Sequence, residues 1–472
     1  MTTHEIAHTV SQPAAEAVEL LKKAVVGEVF EPDEPGYTRA TATYNVLVPP
    51  RPVLVVSAAT VEDVQAAVRF ADAHGLAVTV LGDGHLMTGP MEQAVLITLR
   101  PMAELTVDAE SRTARVRGPV SMGQVVDAAA AVGLAPLNGS SPRVGAVGYT
   151  LGGGQSPTLG RSLGYASDHV RSLEVVTADA QVRTVTAASD PDLFFALRGG
   201  KGNFGVVIGM EFGLFPVTRI YAGGLWFAGE MLADVLPVWR DWVREIPEQM
   251  TSSLAVQRLP PLPELPQPLQ GAFVVHVRIA FLGTPEDAEV WLAPLRALGA
   301  TVFDTVADQP YAAAGTIHND PPEPLPYVDL GTGLRELPDD ALDVFVELAG
   351  PESDCPLVSV EIRSLGGALD REPEFVDALP SRGVPFQTFA FGVGGLDVAP
   401  AMRDYLRTLI DRLQPWAHER SMVNFLSPDE GHSQDEMRRI YGSAKYARLA
   451  QVKAVYDPKN LFRVNHNIAP AT

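Results

Sequence analysis

The sequence contains a single cysteine, Cys355, among its 472 residues. No disulfide can form within the chain, which is typical of a protein in a reducing compartment. Long apolar runs are also missing, since no stretch approaches the roughly 20 residues of a membrane-spanning helix. The N-terminal 25 residues lack the basic start and apolar run of a signal peptide. We therefore expect a cytoplasmic protein with no membrane partner.

Positive charge and metal-binding motifs are scarce as well. Lys and Arg total 36 against 57 Asp and Glu, which gives a formal net charge of −21. Because an acidic surface repels phosphates, we expect no nucleic-acid partner. The ten histidines are dispersed, and neither an H-E-x-x-H motif, paired Cys/His spacing nor a G-x-S-x-G elbow occurs. These absences argue against a metal site and against a serine hydrolase.

The first half of the chain is strongly patterned. RPVLVVSA, from Arg51, predicts a buried strand, and Thr60 to Asp63 resemble the capping box that starts a helix. Gly75 supplies the end of that helix, and AVTVLG predicts the next strand before a glycine-rich loop. SLEVVTADAQVRTVTA predicts a hairpin with its turn at 178–181.

After Pro216 the pattern changes to alternating strands and helices that are separated by proline-rich stretches. This order predicts an α+β lobe with helices packed on one face of a sheet. From Gln434 the tail is again helical. We predict two lobes, with one boundary near Pro216 and a second near residue 425.

Two glycine clusters are candidate ligand sites. Residues 200–205 have the letters of the dinucleotide fingerprint G-x-G-x-x-G, but here a helix precedes the cluster and a strand follows it. That order is the reverse of the one a Rossmann site needs, so the cluster is a turn or a backbone surface for a different dinucleotide. The second cluster includes Gly152–Gly154. Two interpretations are open: its N–H groups form an anion-binding nest, or the segment is a mobile loop.

Several motifs occur in a fixed order: GDGH at 82–85, SSPRVG at 140–145, the Gly152–Gly154 run, LGYASDHV, RGGKGNFGVV and the tail YDPKNLFRVNHNI. In this order they resemble the FAD-linked oxidases of the vanillyl-alcohol-oxidase (PCMH-type FAD-binding) fold, in the berberine-bridge-enzyme-like branch. The resemblance is good over 50–215 and 420–470. It implies an α+β fold in which 1–216 and 426–472 form an FAD-binding domain. Residues 217–425 would form a substrate domain with an antiparallel sheet covered by helices.

The resemblance implies that FAD is attached through one bond to His85. The family loop R-G-G-G-H is replaced here by residues 81–85, in which Asp83 adds a negative charge, so a histidine lining a non-covalent FAD site is the alternative. Ser141 stands where relatives carry a second attaching cysteine, which excludes a second bond. The implied cofactor contacts are Gly82, Asp83, Gly84, His85, Gly89, Ser140, Ser141, Val144, Gly145, Gly148, Tyr149, Gly152, Gly153, Asp168, Gly202, Gly205, Val206, Val207, Asn465 and Asn467.

A catalytic base is harder to identify. Relatives use a tyrosine in a segment that is Met422 to Phe425 here, without a tyrosine. Glu361 and Arg363 alternate on one predicted strand, as do His276 and Arg278 on another, and we expect each pair to face solvent rather than the flavin. Glu361, with a pKa raised in an apolar pocket, is the preferred base if it faces the flavin, followed by Tyr149.

The implied reaction is hydride transfer from a small organic substrate to FAD, which O2 then reoxidises. Alcohols, sugars and secondary-metabolite intermediates are the candidate substrates. Val144 is small at a position where leucine restricts oxygen in relatives, which favours an oxidase. The alternatives are a dehydrogenase with another electron acceptor, and a flavin-binding protein without turnover.

Overall fold

The computed structural model describes residues 13–82, 84–85, 88 and 91–472. In this part of the chain the fold is α+β, with three sheets covered by helices. The strands β1 to β18 are Glu28–Phe30, Leu54–Ser57, Ala77–Leu81, Ala94–Thr98, Glu104–Asp108, Thr113–Arg117, Val170–Val176, Val182–Val185, Val206–Gly213, Arg219–Ala228, Met250–Arg258, Phe273–Phe281, Phe303–Asp304, Ala307–Pro310, Tyr327–Leu330, Gly333–Leu334, Ser359–Ser364 and Phe386–Val393. The helices α1 to α13 are Ala15–Ala24, Tyr37–Ala40, Val61–Ala73, Met122–Ala130, Ala146–Leu151, Gly160–Leu163, Pro191–Leu197, Leu232–Glu245, Pro285–Arg296, Asp339–Ala349, Ala399–Leu413, Gln434–Tyr441 and Ser443–Tyr456.

The first sheet has the order β1-β2-β4-β3, with β2, β4 and β3 parallel and β1 antiparallel at the edge. Helix α3 connects β2 to β3 and packs on this sheet. It starts with the predicted capping box, in which Thr60 and Asp63 bond each other's backbone N–H groups. It ends at Gly75, whose φ of +67° is one that glycine adopts without strain.

The second sheet is antiparallel, with the order β5-β6-β9-β7-β8. The hairpin between β7 and β8 turns at 178–181, as predicted from the sequence. Residues 200–205 lie between α7 and β9, so the helix-before-strand order is also confirmed. This glycine cluster therefore has no helix N-terminus of its own to offer a pyrophosphate.

The third sheet, also antiparallel, has the main order β13-β10-β12-β11-β17-β18-β15. Helices α8 to α11 pack on it around a core that includes Trp239 and Phe345. Its strand β10 has no counterpart in the sequence prediction, because Gly223 and Gly224 at its centre weaken the strand pattern. Both glycines are required by close contacts, since a Cβ at Gly223 would lie 2.4 Å from the Thr305 carbonyl oxygen.

The C-terminal segment lies against the first two sheets. Helix α13 packs on α7, and its buried Lys453 donates hydrogen bonds to the carbonyl oxygens of Asn203 and Phe462. Lys453 also forms a buried ion pair with Asp457 at 2.7 Å. The N–H group of Val78 on β3 donates to the carbonyl oxygen of Leu461. Both ends of the chain thus contribute to one lobe, and the third sheet forms the other. None of the helices among the described residues is long and apolar enough to cross a membrane.

Buried arginines join the two lobes. Arg161 on α6 donates to the carbonyl oxygens of Met250 (2.8 Å), Ile246 and Leu365 across the interface. Arg198, after α7, donates to the carbonyl oxygens of Phe375 and Val376. Because a buried guanidinium that loses its partners is costly, these contacts hold the lobes in one relative position.

Replacing Asp63 tests how much its buried hydrogen bonds beside the first sheet contribute to the free energy of unfolding. Its buried carboxylate accepts hydrogen bonds from the backbone N–H groups of Val26, Gly27, Ala59 and Thr60. Burial alone raises the pKa of this carboxyl, but the four N–H groups outweigh burial and lower the pKa. We expect Asp63→Asn to reduce the free energy of unfolding by about 2–4 kcal/mol, because an amide leaves N–H donors unsatisfied.

A lowered pKa in the folded protein means that this stabilisation is present above the ordinary carboxyl pKa of about 4 and is lost as pH falls. Urea unfolding at several pH values should therefore show the difference between wild type and Asp63→Asn shrinking in acid. Glu62→Gln, at the exposed neighbouring position, is the matched control. An equal loss in both variants, or a difference that grows in acid, would contradict this account.

Candidate cofactor and active site

A cavity of about 370 Å³ lies between the two lobes. Its walls come from β3 and the loop after it, from 139–151, from 201–207 and from the tail at 462–466. The second lobe contributes Arg363 on β17, and Asn424 and Phe425 line the same space. The cavity therefore brings glycine-rich segments at 82–84, 139–148 and 202–205 together with side chains from the second lobe and the tail.

Many of the predicted cofactor contacts line this cavity. They are Gly82, Gly84, His85, Ser140, Val144, Gly145, Gly148, Tyr149, Gly202, Gly205, Val207 and Asn465. Two further predicted contacts, Asp83 and Gly89, lie outside the described residues.

Other predicted contacts lie behind the lining. Gly152 packs on the Asn424 side chain and Gly153 on Leu379, with no room for a Cβ at either position. Val206 is buried in the core beneath the first sheet. These residues shape the cavity wall through packing, and the cavity lining does not include them.

Three polar residues of the predicted set also lie away from the lining. Ser141 Oγ accepts a hydrogen bond from the Arg143 N–H, and the carbonyl oxygen of Asn467 accepts one from Gln434. Asp168 forms an ion pair with Arg382, and its carboxylate also accepts from the Tyr165 N–H. The structure thus gives Asp168 a role in joining the lobes, because Arg382 belongs to the second lobe and binds Asp377 as well.

His85 has the features expected of an attachment residue. Its ring stacks on Tyr44 with centroids 4.2 Å apart, and its carbonyl oxygen accepts from the Tyr327 hydroxyl at 2.8 Å. Both ring nitrogens are buried and have no hydrogen-bond partner among the described residues. Burial lowers the pKa of His85 to about 4, with Asp320 opposing and Arg143 assisting, so the imidazole is neutral at pH 7. A neutral, fixed and unpaired imidazole is in the form that reacts as a nucleophile.

The rest of the lining also fits a bound FAD. Gly84 has a φ of +74°, and a Cβ there would lie 2.7 Å from Thr43 Cα. Gly205 has a φ of +150° and is similarly confined by Val176. Asn465 Oδ1 is buried without a partner in the described chain, while its Nδ2 donates to the Gly202 carbonyl oxygen. Backbone that a ligand can approach closely, with unpaired polar atoms, suits a large polar cofactor.

Tyr149 lies on α5 and lines the cavity. Its hydroxyl is buried and has no partner within the part of the chain that the structure describes. Burial raises the pKa of Tyr149 well above its ordinary value, Tyr311 adds to the rise and Arg363 opposes it. Tyr149 is therefore protonated at neutral pH, which makes it a hydrogen-bond donor and a poor resting-state base.

Glu361 and its neighbours depart from the sequence prediction. Both strand pairs were expected to face solvent, but Glu361, Arg363, His276 and Arg278 are all buried, at 1–6% exposure. Burial raises the pKa of Glu361, yet Arg363 and Arg278 outweigh it and hold that pKa well below the ordinary value. The prediction of a raised pKa is therefore wrong, because the alternation on β17 brings an arginine beside the carboxylate.

Two histidines and a lysine at the site had no clear sequence signal. His318 Nε2 lies 3.6 Å from Glu361 Oε1, and no motif surrounds it in the sequence. Lys201 Nζ donates to the Val423 carbonyl oxygen and lies 3.1 Å from His466 Nδ1. Burial lowers the pKa of Lys201 to about 7, with Glu430 opposing. In the structure Lys201 has a φ of +56°, a conformation typical of glycine. In the sequence, only its position inside the glycine cluster at 200–205 sets it apart.

Comparisons with known proteins agree with this geometry. Residues 52–186 match the family model described as FAD binding domain, and residues 421–469 match the one described as Berberine and berberine like. The (R)-6-hydroxynicotine oxidase of Paenarthrobacter nicotinovorans is 29% identical over 95% of this chain and 97% of its own length. An FAD-linked oxidoreductase of Dictyostelium discoideum is 25% identical over 97% of this chain and 98% of its own.

A solved structure extends the likeness to three dimensions. The crystal structure of 6-hydroxy-D-nicotine oxidase from Arthrobacter nicotinovorans superposes with a TM-score of 0.80 at 25% identity. It covers 99% of this chain and 100% of that one. The chain is therefore an FAD-dependent oxidoreductase with the PCMH-type FAD-binding fold, and it is similar to the berberine-bridge-enzyme-like proteins.

Proposed function

We propose that this chain is an oxidase that carries its FAD on His85 through a single bond and oxidises a small organic substrate with O2. The observation that supports it best is the neutral, buried and unpartnered His85 imidazole on the wall of a glycine-lined cavity. Bound FAD supplies the hydride acceptor that the side chains lack. The lining residues named above, from Gly82 to Asn465, would hold it.

The domain division follows from the same proposal. Residues 1–216 and 426–472 would form the FAD-binding domain, and 217–425 the substrate domain. Between Gly213 at the end of β9 and Arg219 at the start of β10, the chain passes from one sheet to the next. Substrate would bind beside Arg363, Phe425 and Tyr149, which line the cavity.

Tyr149 and Glu361 take different parts in this proposal. The Tyr149 hydroxyl is protonated and unpaired, so it would donate a hydrogen bond to the substrate and orient the C–H bond that is oxidised. Glu361 would be a positioning residue, because each of its oxygens already accepts from an arginine. A carboxylate with a depressed pKa and two guanidinium partners is a weak proton acceptor.

Attachment is tested by replacing His85. We expect acid-precipitated wild type to be yellow, with FAD mass on the peptide containing His85, and acid-precipitated His85→Ala to be colourless. The reason is that no other imidazole is expected to reach the same position. His74→Ala, a histidine at the end of α3 that does not line the cavity, is the matched control and should remain yellow. A colourless wild-type pellet would show that FAD binds without a bond, and a coloured His85→Ala pellet would place the bond elsewhere.

Oxygen reactivity is tested at Val144, which lines the cavity. We expect chemically reduced wild type to reoxidise rapidly in stopped-flow mixing with aerated buffer. In Val144→Leu an added methylene crowds the cavity wall. We expect this crowding to slow reoxidation of the reduced flavin roughly tenfold or more. Val182→Leu, at an exposed position on β8, should leave the rate unchanged. Slow reoxidation of wild type, with fast transfer to an artificial acceptor, would instead favour a dehydrogenase.

A further inference from the structure

A cluster of buried charged and polar side chains surrounds Arg363, which lines the cavity; we call it the arginine cluster: Arg278, Arg363, Glu361, His318 and His276. Arg363 lines the main cavity and, together with Arg278 and His318, a smaller adjoining one of about 10 Å³. Strands β12 and β17 bring His276, Arg278, Glu361 and Arg363 to one face of the third sheet, and His318 lies beside Glu361. The cluster is thus continuous with the space proposed for the substrate.

The arginine cluster carries an excess of positive charge. Arg278 Nη1 donates to Glu361 Oε1 at 2.8 Å, and Arg363 Nη2 donates to Glu361 Oε2 at 3.1 Å. Burial and the neighbouring Arg278 lower the pKa of His318 despite the opposing Glu361, so this histidine is neutral. Two fixed cations therefore face one carboxylate. Asp320, which is half-buried, adds negative charge only at longer range, because no ion pair within 4.0 Å involves it in the described structure.

Several donors of the arginine cluster are also unsatisfied. The Nε–H groups of Arg278 and Arg363 are buried without a partner among the residues that the structure describes, as is the single N–H group that a neutral His318 carries. A buried cation with unpaired donors is costly unless an anion arrives to accept from it. The single carboxylate of Glu361 already accepts from both guanidinium groups, so its negative charge is compensated within the cluster and one positive charge remains in excess.

We propose that the arginine cluster binds a carboxylate of the substrate, so that the enzyme acts on a small organic acid. The carboxylate would accept from Arg278 and Arg363 in the pattern that a guanidinium fork offers to a planar anion. The cavity wall also includes the apolar and aromatic side chains of Phe425, Val144 and Tyr149, and Gln155, which accepts from Arg363 Nη1 at 3.2 Å. The acid would therefore carry an aliphatic or aromatic body beside the proposed flavin site. This inference rests on the proposed function, whose cavity it completes.

The experiment is a spectral titration of the yellow holoenzyme with acetate, benzoate and 3-phenylpropionate, each paired with its neutral amide of the same shape. We expect at least one acid to perturb the visible flavin spectrum in a saturable way and to bind at least about tenfold more tightly than its amide. Arg278→Met should weaken that binding roughly tenfold or more, because it removes one charged donor.

Arg219→Met is the matched control, because Arg219 lies on β10 of the same sheet with an exposed side chain paired to Asp308. It should bind the acid as wild type does. If Arg278→Met does not give a folded yellow protein, Arg363→Lys serves instead, because it keeps the charge and loses the fork. Its binding of the acid should then weaken while that of the amide stays the same.

Equal affinities for acid and amide, no binding by any of the three acids, or equal weakening in the arginine variant and Arg219→Met would each overturn the proposal. These results concern a protein that is yellow and reoxidises in air. A colourless protein, or one that does not react with O2, would instead count against the proposed oxidase, so the two failures are distinguishable.

Discussion

The docking of the two lobes is the constraint on which the site depends, and buried charges enforce it. Arg382 of the second lobe lies between Asp168 and Asp377. Arg161 and Arg198 add bonds to carbonyl oxygens across the same interface. A shift of one lobe against the other within the closed interface would leave these charges buried without partners, and breaking one buried pair costs about 3–5 kcal/mol. The cavity exists only between the docked lobes, so its width and its set of facing side chains are determined by this interface.

The excess charge at the site is positive, whereas the net charge of the whole protein is negative. A net charge of −21 gives the protein an acidic surface, yet Arg363 lines the cavity and Arg278 lines the smaller one beside it. Burial changes what each group does: it keeps Tyr149 protonated and His85 neutral. Reactivity at this site is therefore set by desolvation as much as by the choice of residue.

Local order could be predicted from the sequence because local rules produce it. The capping box at Thr60, the hairpin turn at 178–181 and the helix-before-strand order around 200–205 depend on neighbours in the chain. The fixed order of the glycine-rich and C-terminal motifs was also sufficient to predict the FAD cofactor and the fold. Burial of Glu361 and its pairing with two arginines depend on how β12, β11 and β17 align, which no local pattern encodes. The place of His318 at the site and the role of Asp168 in joining the lobes could not be predicted for the same reason, since their partners are distant in sequence.

The contact between Tyr327 and His85 links the second lobe to the first. Tyr327 belongs to β15 at the edge of the third sheet, and its hydroxyl holds the carbonyl oxygen of His85, while Tyr44 supports the ring from the other lobe. The backbone of His85 is thus held from the second lobe and its ring from the first, so the placement of this residue depends on contacts from both.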